Sequence, residues 1–422
     1  MPWPSTIRAL ASRNYRLFCM GQGISLLGTW MQQVALSWLV YRLTHSPLML
    51  GLVSFLNQIP ILVLAPFLSV LPDHFEKRKI LVVSQALALV QAASLALLTL
   101  LGHPSVMAIL PLALLLGFAD ALDIPARQSF VSEMVPREHL ANAIALNSSL
   151  VNLARFIGPP AAGIVVAQAG EGICFAVNAV SYLAVIASFL AMRLPGKSPA
   201  RKTLSFSSVT EGFSYIKGSL PLRSILLYMA LASFAGVPYQ TLMPVFARDV
   251  FHGNSLVLGN IFAASASGAL LGALYLASRK SILGLGAHIP LAGALFGASV
   301  MLFSRMHALS PAAFMALSLG GFGMMVLMAS SNTLLQTISD DDKRGRVMGF
   351  FALAFRGMTP LGSLCAGSAA EHWGAPAALV LGGAAVVAGA LWFALRLPRL
   401  RAALRPIYLE KGITRPKRTM QS

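Results

Sequence analysis

Charged side chains inside long apolar stretches are the residues of this sequence best suited to chemistry. Asp120, Asp123 and Arg127 follow one another at spacings of three and four, which places them on one face of a helix. Burial disfavours a carboxylate, whereas a neighbouring guanidinium favours it. This competition makes Asp120 a candidate carrier of a coupling proton, assisted by Asp123 and Arg127. The equally supported alternative is an Asp–Arg pair that only holds the fourth and fifth apolar stretches together.

Two arginines lie deep inside other apolar stretches. At a rise of 1.5 Å per residue, Arg155 lies roughly 20 Å and Arg356 roughly 15 Å into its stretch. A charge that faces lipid costs several kcal/mol, so both should face protein or a water-filled cavity, where they could bind an anionic group of a substrate. We expect four amides to line the same cavity, although helix-to-helix hydrogen bonding explains each one equally well: Gln32, Gln33, Asn57 and Asn178.

Composition identifies the elements that must hold these charges. The chain has 422 residues, of which 56% are hydrophobic and 11% charged, and its mean hydropathy is +0.72. A soluble globule has about a quarter of its residues charged. The apolar runs last roughly 20 residues, enough for a helix to cross the bilayer, and lack the period-two alternation of barrel strands. The sequence therefore predicts an all-α membrane protein.

Twelve transmembrane helices in two six-helix bundles around a central cavity are expected. The predicted spans are 17–41, 48–71, 80–101, 105–126, 143–168, 173–193, 222–247, 255–278, 287–304, 308–330, 347–370 and 375–396. They divide the chain into an N-terminal bundle (1–194), a linker (195–221), a C-terminal bundle (222–396) and a basic tail (397–422). The linker is expected to carry a short amphipathic helix along the inner membrane face, or else to be disordered.

The two halves repeat. Four glycine landmarks recur at an offset of 204 residues, pairing Gly117 with Gly321, Gly158 with Gly362, Gly163 with Gly367, and Gly170 with Gly374. Repeats of the same orientation imply two bundles related by an axis along the membrane normal, which usually meet around a central cavity. That geometry suits alternating access of the cavity to the two sides of the membrane.

Positive charge marks one membrane face. The chain has 32 Lys and Arg against 14 Asp and Glu, concentrated in residues 1–16, 72–79, 125–142, 193–223, 279–286, 338–346 and 396–422. These segments alternate with pairs of spans, so they all fall on one side, which the positive-inside rule assigns to the cytoplasm together with both termini. The charge reports topology, and nucleic-acid binding is not expected.

Signals for catalysis or bound cofactors are weak. Cys19, Cys174 and Cys365 lie in apolar spans without metal-ligand spacing, and the histidines are scattered. No nucleotide-binding loop, serine-nucleophile motif or zinc-protease motif is found. We therefore expect neither a metal nor a cofactor, and no enzymatic activity.

Four motifs occur in a particular order along the chain: Ser69-Val-Leu-Pro-Asp73-His74-Phe-Glu76-Lys77-Arg78, Arg155-Phe-Ile-Gly158-Pro159-Pro160-Ala-Ala-Gly163, Met243-Pro244-Val245-Phe246-Ala247-Arg248-Asp249 and Arg344-Gly345-Arg346-Val347. Their order and spacing resemble the major facilitator superfamily, specifically its bacterial exporter branch that contains enterobactin and macrolide efflux proteins. The resemblance covers about residues 8–396 and implies proton-driven export across the bacterial cytoplasmic membrane.

The resemblance also implies gating residues. Asp73, with Arg78 as its basic companion, matches the acidic residue that latches the bundles in the outward-facing state. Ser69 and His74 depart from the usual glycine and arginine and should weaken that latch; a solvated charged turn is the alternative. In the fifth span Gly158, Pro159 and Gly163 match an antiporter motif, where a bend serves as a gate or simply improves packing.

The leading interpretation is a proton antiporter that exports an amphiphilic organic compound such as a siderophore or a drug. Its expected partners are a small-molecule substrate, protons and the lipid bilayer, and it is expected to function as a monomer. Two alternatives are a lysophospholipid transporter and a membrane sensor or scaffold that does not transport. Transport is favoured because a scaffold gains nothing from costly intramembrane charges.

Overall fold

The computed structural model describes residues 5–68, 75–193, 206–279, 281–411 and 413. Within these ranges the long helices, numbered in chain order, are α1 (Arg13–Thr44), α2 (Pro47–Leu68), α3 (Lys77–Leu100), α4 (Val106–Met134), α5 (Leu140–Ala169), α6 (Glu171–Ala191), α7 (Leu220–Val250), α8 (Ser255–Ala277), α9 (Leu285–Ser304), α10 (Pro311–Ile338), α11 (Arg344–Trp373) and α12 (Ala375–Glu410). A shorter helix between α6 and α7, Phe206–Gly218, is called the connecting helix.

The helices are those of a membrane protein. Eleven helices of the described chain, α2 to α12, are long and apolar enough to cross a bilayer. Helix α1 has 32 residues, but its glycines and glutamines make it less apolar. It packs between α5 and α6 as a full member of the bundle. The predicted twelve-helix fold is confirmed, and the protein is a multi-pass membrane protein.

The two bundles are built alike. In the first, α1 packs on α5 and α6, α3 packs on α4 and α6, and α2 packs on α4. In the second, α7 packs on α11 and α12, α9 packs on α10 and α12, and α8 packs on α10. The bundles meet where α5 crosses α8 and where α2 crosses α11. Each helix of one half therefore has a counterpart with equivalent neighbours in the other half.

The repeated glycines lie at equivalent crossings. A Cβ atom at Gly117 would overlap the α2 backbone at Asn57, and one at Gly321 would overlap the α8 backbone at Ser265. Small residues at such positions let helices in lipid approach closely enough for backbone contact. Gly170, which ends α5, has a φ of +80°, a left-handed conformation that glycine adopts without strain.

Three turns of π-helix interrupt the α-helical geometry, at Ala232–Gly236 and Phe246–Val250 in α7 and at Leu353–Gly357 in α11. A π-turn inserts an extra residue and rotates the side chains that follow, and such turns are frequent at functional sites. By contrast, α5 remains α-helical through Pro159 and Pro160. The two prolines therefore leave the helix assignment of α5 continuous.

Helix α12 is longer than the apolar span that ends at 396. It continues through Pro398 and Pro406 to Glu410 because Leu400 and Leu404 are buried against the second bundle. The Lys411 ammonium then donates a 2.7 Å hydrogen bond to the Ser339 carbonyl at the end of α10. Much of the segment expected to be a basic tail is thus an ordered helix.

The connecting helix docks on the second bundle beside the start of α11. Glu211 pairs with Arg346 at 2.8 Å, and the Lys343 ammonium lies 4.7 Å from the centre of the Tyr215 ring. The Tyr215 hydroxyl accepts a 3.2 Å hydrogen bond from the Asp340 backbone N–H. These contacts attach the connecting helix to the second bundle.

The glycine crossings lead to a prediction about stability. Gly321→Ala should destabilise the protein by about 1–3 kcal/mol, because its Cβ would overlap the α8 backbone. The matched control is Gly349→Ala, since nothing lies within 4 Å of the Cβ position there. Thermal unfolding of the purified protein in detergent measures both changes. Equal unfolding temperatures for the two variants would contradict the argument.

Candidate functional site

Two membrane faces are distinguished by charge. The basic face carries the start of α1, the turns between α2 and α3, α4 and α5, α6 and α7, α8 and α9, and α10 and α11, and the end of α12. The opposite face carries the remaining turns. Ion pairs at the basic face join neighbours within a bundle, as Lys77 pairs with Glu133 at 2.6 Å. The contacts between bundles described below lie toward the opposite face.

The Asp123 carboxylate accepts four hydrogen bonds from neighbouring side chains. It accepts hydrogen bonds from Arg127 Nε at 2.6 Å and Arg127 Nη2 at 2.7 Å, on the next turn of α4. It also accepts from Gln85 Nε2 at 2.8 Å and Ser84 Oγ at 3.1 Å, both on α3. The side chains at positions 123 and 127 therefore join α4 to α3. Among the described residues the Asp–Arg ion pair of this helix is Asp123 with Arg127, and no ion pair joins α4 to α5 there.

Asp120 lies about one turn before Asp123 on α4, and its surroundings differ. In the described part of the chain its carboxylate has neither a hydrogen bond nor an ion pair, although the side chain is half-buried. The charges that act on it are Asp123 and Arg127 on its own helix and Arg356 on α11. Arg356 belongs to the second bundle, so Asp120 lies within electrostatic range of a charge of the other bundle.

Arg155 and Arg356 occupy the same region from two sides. The guanidinium carbon of Arg155 lies 5.1 Å from the centre of the Trp30 ring on α1, a cation–π contact, and its Nε is buried without a hydrogen-bond partner. Arg356 lies in the π-turn of α11, has an exposed side chain, and is near enough to act on Arg155 electrostatically. The site therefore has two positive groups and one negative group.

Gln32 and Asn178, two of the amides predicted to line the cavity, lie inside the first bundle. Asn178 Nδ2 donates to Gln32 Oε1 at 2.9 Å, and Gln32 Nε2 donates to Gln91 Oε1 at 2.8 Å. All three amides are buried inside the first bundle, where they link α6, α1 and α3. Gln32 and Asn178 therefore make the helix-to-helix hydrogen bonds that were the alternative to lining the cavity. A polar side chain within a bundle stabilises it by satisfying another polar group there.

The other two amides predicted to line the cavity, Gln33 and Asn57, are less buried than Gln32 and Asn178. Gln33 is exposed and has no hydrogen-bond partner in the described chain, so it remains available to a ligand. Asn57 is half-buried, and its Nδ2 lies 3.5 Å from the Ala113 carbonyl of α4. Asn57 therefore lies at the crossing of α2 and α4.

Polar contacts close the space between the bundles at the opposite face. The Tyr41 hydroxyl at the end of α1 donates to the Asp249 carboxylate at the end of α7. Glu371 of α11 accepts hydrogen bonds from the Ser46 hydroxyl at 2.8 Å and from the Leu48 backbone N–H at 3.1 Å. Glu371 thus caps the N-terminus of α2 from the other bundle, where the helix dipole favours negative charge. Sequence reasoning quoted Asp249 in a motif but missed Tyr41 and Glu371, whose partners are distant in sequence.

Backbone contacts reinforce this closure. The Ser255 hydroxyl at the start of α8 donates a 3.0 Å hydrogen bond to the Gly163 carbonyl of α5. A Cβ atom at Gly163 would lie 2.7 Å from the Ser255 carbonyl oxygen, and one at Gly367 would lie 2.6 Å from the Pro47 carbonyl oxygen. Equivalent glycines therefore make the two crossings between the bundles.

The other predicted gating residues within the described chain lie on α5 and at the start of α3. Gly158 lies against α1, where a Cβ atom would be 2.5 Å from Trp30 Cβ, and the Pro159 carbonyl lies against Gly259 of α8. Arg78, at the start of α3, donates hydrogen bonds to the carbonyls of Leu190 at 2.7 Å and Met192 at 3.3 Å, and so caps the end of α6. Ser69, Asp73 and His74 lie outside the described residues.

Metal ligation has no support from the arrangement of side chains. Among the described residues, no three His, Cys, Asp or Glu side chains converge as metal ligands. The cysteines Cys19, Cys174 and Cys365 are unpaired thiols.

An internally repeated pair of six-helix bundles, with charged groups of both bundles in the space between them, defines a transporter of the major facilitator superfamily. The chain belongs within it to the family described as transmembrane secretion effector, which matches residues 4–410. The resemblance found in the sequence motifs is confirmed.

Known proteins agree with this assignment. The chain is 25% identical to the staphyloferrin A transporter of Staphylococcus aureus, over 85% of this chain and 90% of that protein. It is 26% identical to the multidrug efflux pump Tap of Mycolicibacterium fortuitum, over 90% of this chain and 93% of that protein. In fold it is similar to a crystal structure of the peptide transporter POT, with a TM-score of 0.74, 13% identity, and coverage of 93% of this chain and 96% of that one.

The two neighbouring carboxylates should respond differently to neutralisation. Asp123→Asn should destabilise the protein by about 3–5 kcal/mol, because it leaves the Arg127 guanidinium buried without its counter-charge. Asp120→Asn, one turn away on the same helix, is the matched control and should change stability little. Unfolding temperature in detergent measures both, and a larger loss for Asp120→Asn would refute the assignment of structural and free carboxylates.

Proposed function

We propose that this protein exports an amphiphilic organic compound, a siderophore or a drug-like molecule, from the bacterial cytoplasm in exchange for protons. The observation that carries the proposal is that Asp120 has no hydrogen bond or ion pair among the described residues and lies within electrostatic range of Arg356 of the other bundle. A proton on such a group can be coupled to relative movement of the bundles. A carboxylate that is fully hydrogen-bonded within one bundle, as Asp123 is, cannot respond in that way.

Orientation follows from charge. The basic face carries most of the Lys and Arg, so we assign it to the cytoplasm, with both termini on that side of the inner membrane. The contacts of Tyr41 with Asp249 and of Glu371 with the start of α2 then close the periplasmic side. The described state is accordingly interpreted as the one that receives substrate from the cytoplasm. A single chain contains both bundles and all the proposed groups, which supports function as a monomer.

Coupling would follow from the distance between Asp120 and Arg356. In the described state Arg356 is one of the charges that act on Asp120, so movement of Arg356 with the second bundle would change the electrostatics at this carboxylate. In the proposed cycle Asp120 releases its proton to the cytoplasm in this state. When the bundles rock to open the periplasmic side, Arg356 would move away, and Asp120 would take up a proton from the periplasm. This cycle is antiport, because protons move inward as substrate moves outward.

Substrate chemistry is inferred from the rest of the site. Arg155 and Arg356 offer two positive groups, and Trp30 adds an aromatic surface beside Arg155. An organic molecule with an anionic group and an apolar or aromatic body would satisfy both features. The relatives that transport staphyloferrin A and multiple drugs support the same class of substrate.

Proton release from energised inside-out vesicles tests the coupling. Siderophores, macrolides, dyes and lysophospholipids are added in turn, and the wild type should release protons with one class of compound. Asp120→Asn should abolish that release because the amide cannot carry the proton. The control Asp342→Asn removes an exposed carboxylate at the basic face and should leave release intact.

Other outcomes of this experiment point elsewhere. Release that persists in Asp120→Asn would move the proton site to another residue. Release induced only by lysophospholipids would favour the alternative lipid substrate. No release with any compound would contradict antiport and favour a sensor or scaffold.

Equilibrium binding tests the role of Arg356. Arg356→Gln should weaken binding of an acidic transported compound about 10-fold or more, the usual cost of a lost hydrogen bond to a charged group. Binding of a neutral compound of similar size should change little. Arg305→Gln, which removes an exposed arginine at the opposite face, is the control. Unchanged affinity for the acidic compound in Arg356→Gln would remove Arg356 from the substrate site.

A further inference from the structure

A pocket unconnected with the central charges opens near the basic-face end of α12. It has a volume of about 290 Å³ and lies between α12 and the ends of α7, α9 and α10. Its walls are mostly apolar, with Ile225 on α7, Leu334 on α10, and Leu397, Leu400 and Leu404 on α12. Ligand pockets usually begin at about 300 Å³, so this space suits one flexible chain or a small ring system.

Two arginines stand at one side of this apolar pocket. Arg401 and Arg405 are four residues apart, so they project from the same face of α12, and both line the pocket. Both side chains are exposed, and neither has an ion-pair partner in the described part of the chain. By contrast Arg344 and Arg346, also at the basic face, are paired with Asp341 and Glu211. The pocket therefore combines an apolar wall with two uncompensated positive charges.

The pocket spans the level at which the membrane surface meets the protein. Leu391 and Leu395 of α12 are exposed, with 61% and 83% of their surfaces accessible, as expected for side chains that face lipid. Arg405 lies ten residues beyond Leu395, roughly 15 Å along the helix. A molecule that fills the pocket would thus extend from hydrocarbon depth to the charged surface.

We propose that this pocket binds one anionic phospholipid, with its phosphate at Arg401 and Arg405 and an acyl chain along Leu397, Leu400 and Leu404. A free phosphate would satisfy the arginines but not the apolar wall, and an uncharged lipid would satisfy the wall but not the arginines. Basic pockets between helices near the membrane surface suit anionic head groups for this reason. The bound lipid would join α12 to α7, α9 and α10, all in the second bundle.

Lipid retention measured by native mass spectrometry tests the proposal. The full chain is reconstituted in vesicles of equal parts phosphatidylglycerol and phosphatidylethanolamine and then extracted in mild detergent. The wild type should retain one phosphatidylglycerol. The double variant Arg401→Gln/Arg405→Gln should retain it about 30-fold more weakly, since each arginine near an anionic surface strengthens binding about 5-fold.

Matched variants separate a site from general charge attraction. Arg137→Gln/Arg399→Gln removes two exposed arginines of the basic face that do not line the pocket, and should retain lipid like the wild type. Gly286→Leu keeps both arginines but fills the pocket, because the Cβ position there is only in ordinary contact with Leu397 at 3.8 Å. It should also lose the lipid.

Three results would overturn the proposal. One is equal retention of phosphatidylglycerol by the wild type and Arg401→Gln/Arg405→Gln, with unfolding temperatures showing that both are folded. Another is equal retention of the two lipids by the wild type. The third is displacement of the lipid by inorganic phosphate at matched concentration, which would assign the arginines to a free anion. None of these outcomes depends on transport, so the lipid site and the proposed antiport can fail separately.

Discussion

Backbone contact between helices at glycine is the constraint on which the rest of this structure depends. In a bilayer, apolar side chains gain nothing by leaving lipid for one another, so helices associate where their backbones can approach closely. At the crossing of α5 and α8, Gly163 and Gly259 lie against each other's helices, and at the crossing of α2 and α11, Gly51 and Gly367 do the same. These two equivalent contacts join the bundles, and they fix how the charged residues of the two halves face one another.

The polar residues inside the membrane-spanning helices fall into two groups, those whose hydrogen bonds are satisfied within one bundle and those whose charges are not. Asp123 has four hydrogen bonds, and Gln32 and Asn178 complete each other's hydrogen bonding inside the first bundle. Such networks stabilise one arrangement of neighbouring helices. Asp120 and Arg356 instead belong to different bundles, and neither has a hydrogen bond or ion pair among the described residues, so their interaction energy would change in the proposed movement of the bundles. Incomplete satisfaction of charge is what allows a group to respond to a proton or a substrate.

The closed face uses a different mechanism from the central site. Asp249 lies within a π-helical turn, and Glu371 caps the first turn of α2 across the boundary between bundles. Each contact consists of hydrogen bonds at a helix end, which can be replaced by water when the face opens. Water cannot replace the contacts at the buried glycine crossings in the same way, because those contacts consist of close packing between helix backbones. The proposed opening would therefore rotate the bundles as units.

From the amino-acid sequence alone the number of spans, the repeat of the two halves and a single basic face could be predicted. The sequence also paired Asp123 with Arg127, because a spacing of four on a helix places two side chains together whatever surrounds them. Helix ends were less well determined: α12 continues fourteen residues past the apolar span to Glu410, since Leu400 and Leu404 are buried by other helices. Only the tertiary structure decided that Gln32 and Asn178 face their own bundle, and that Tyr41 meets Asp249. Helical periodicity gives the face on which a side chain lies, whereas the partner of that face depends on packing between residues hundreds of positions apart.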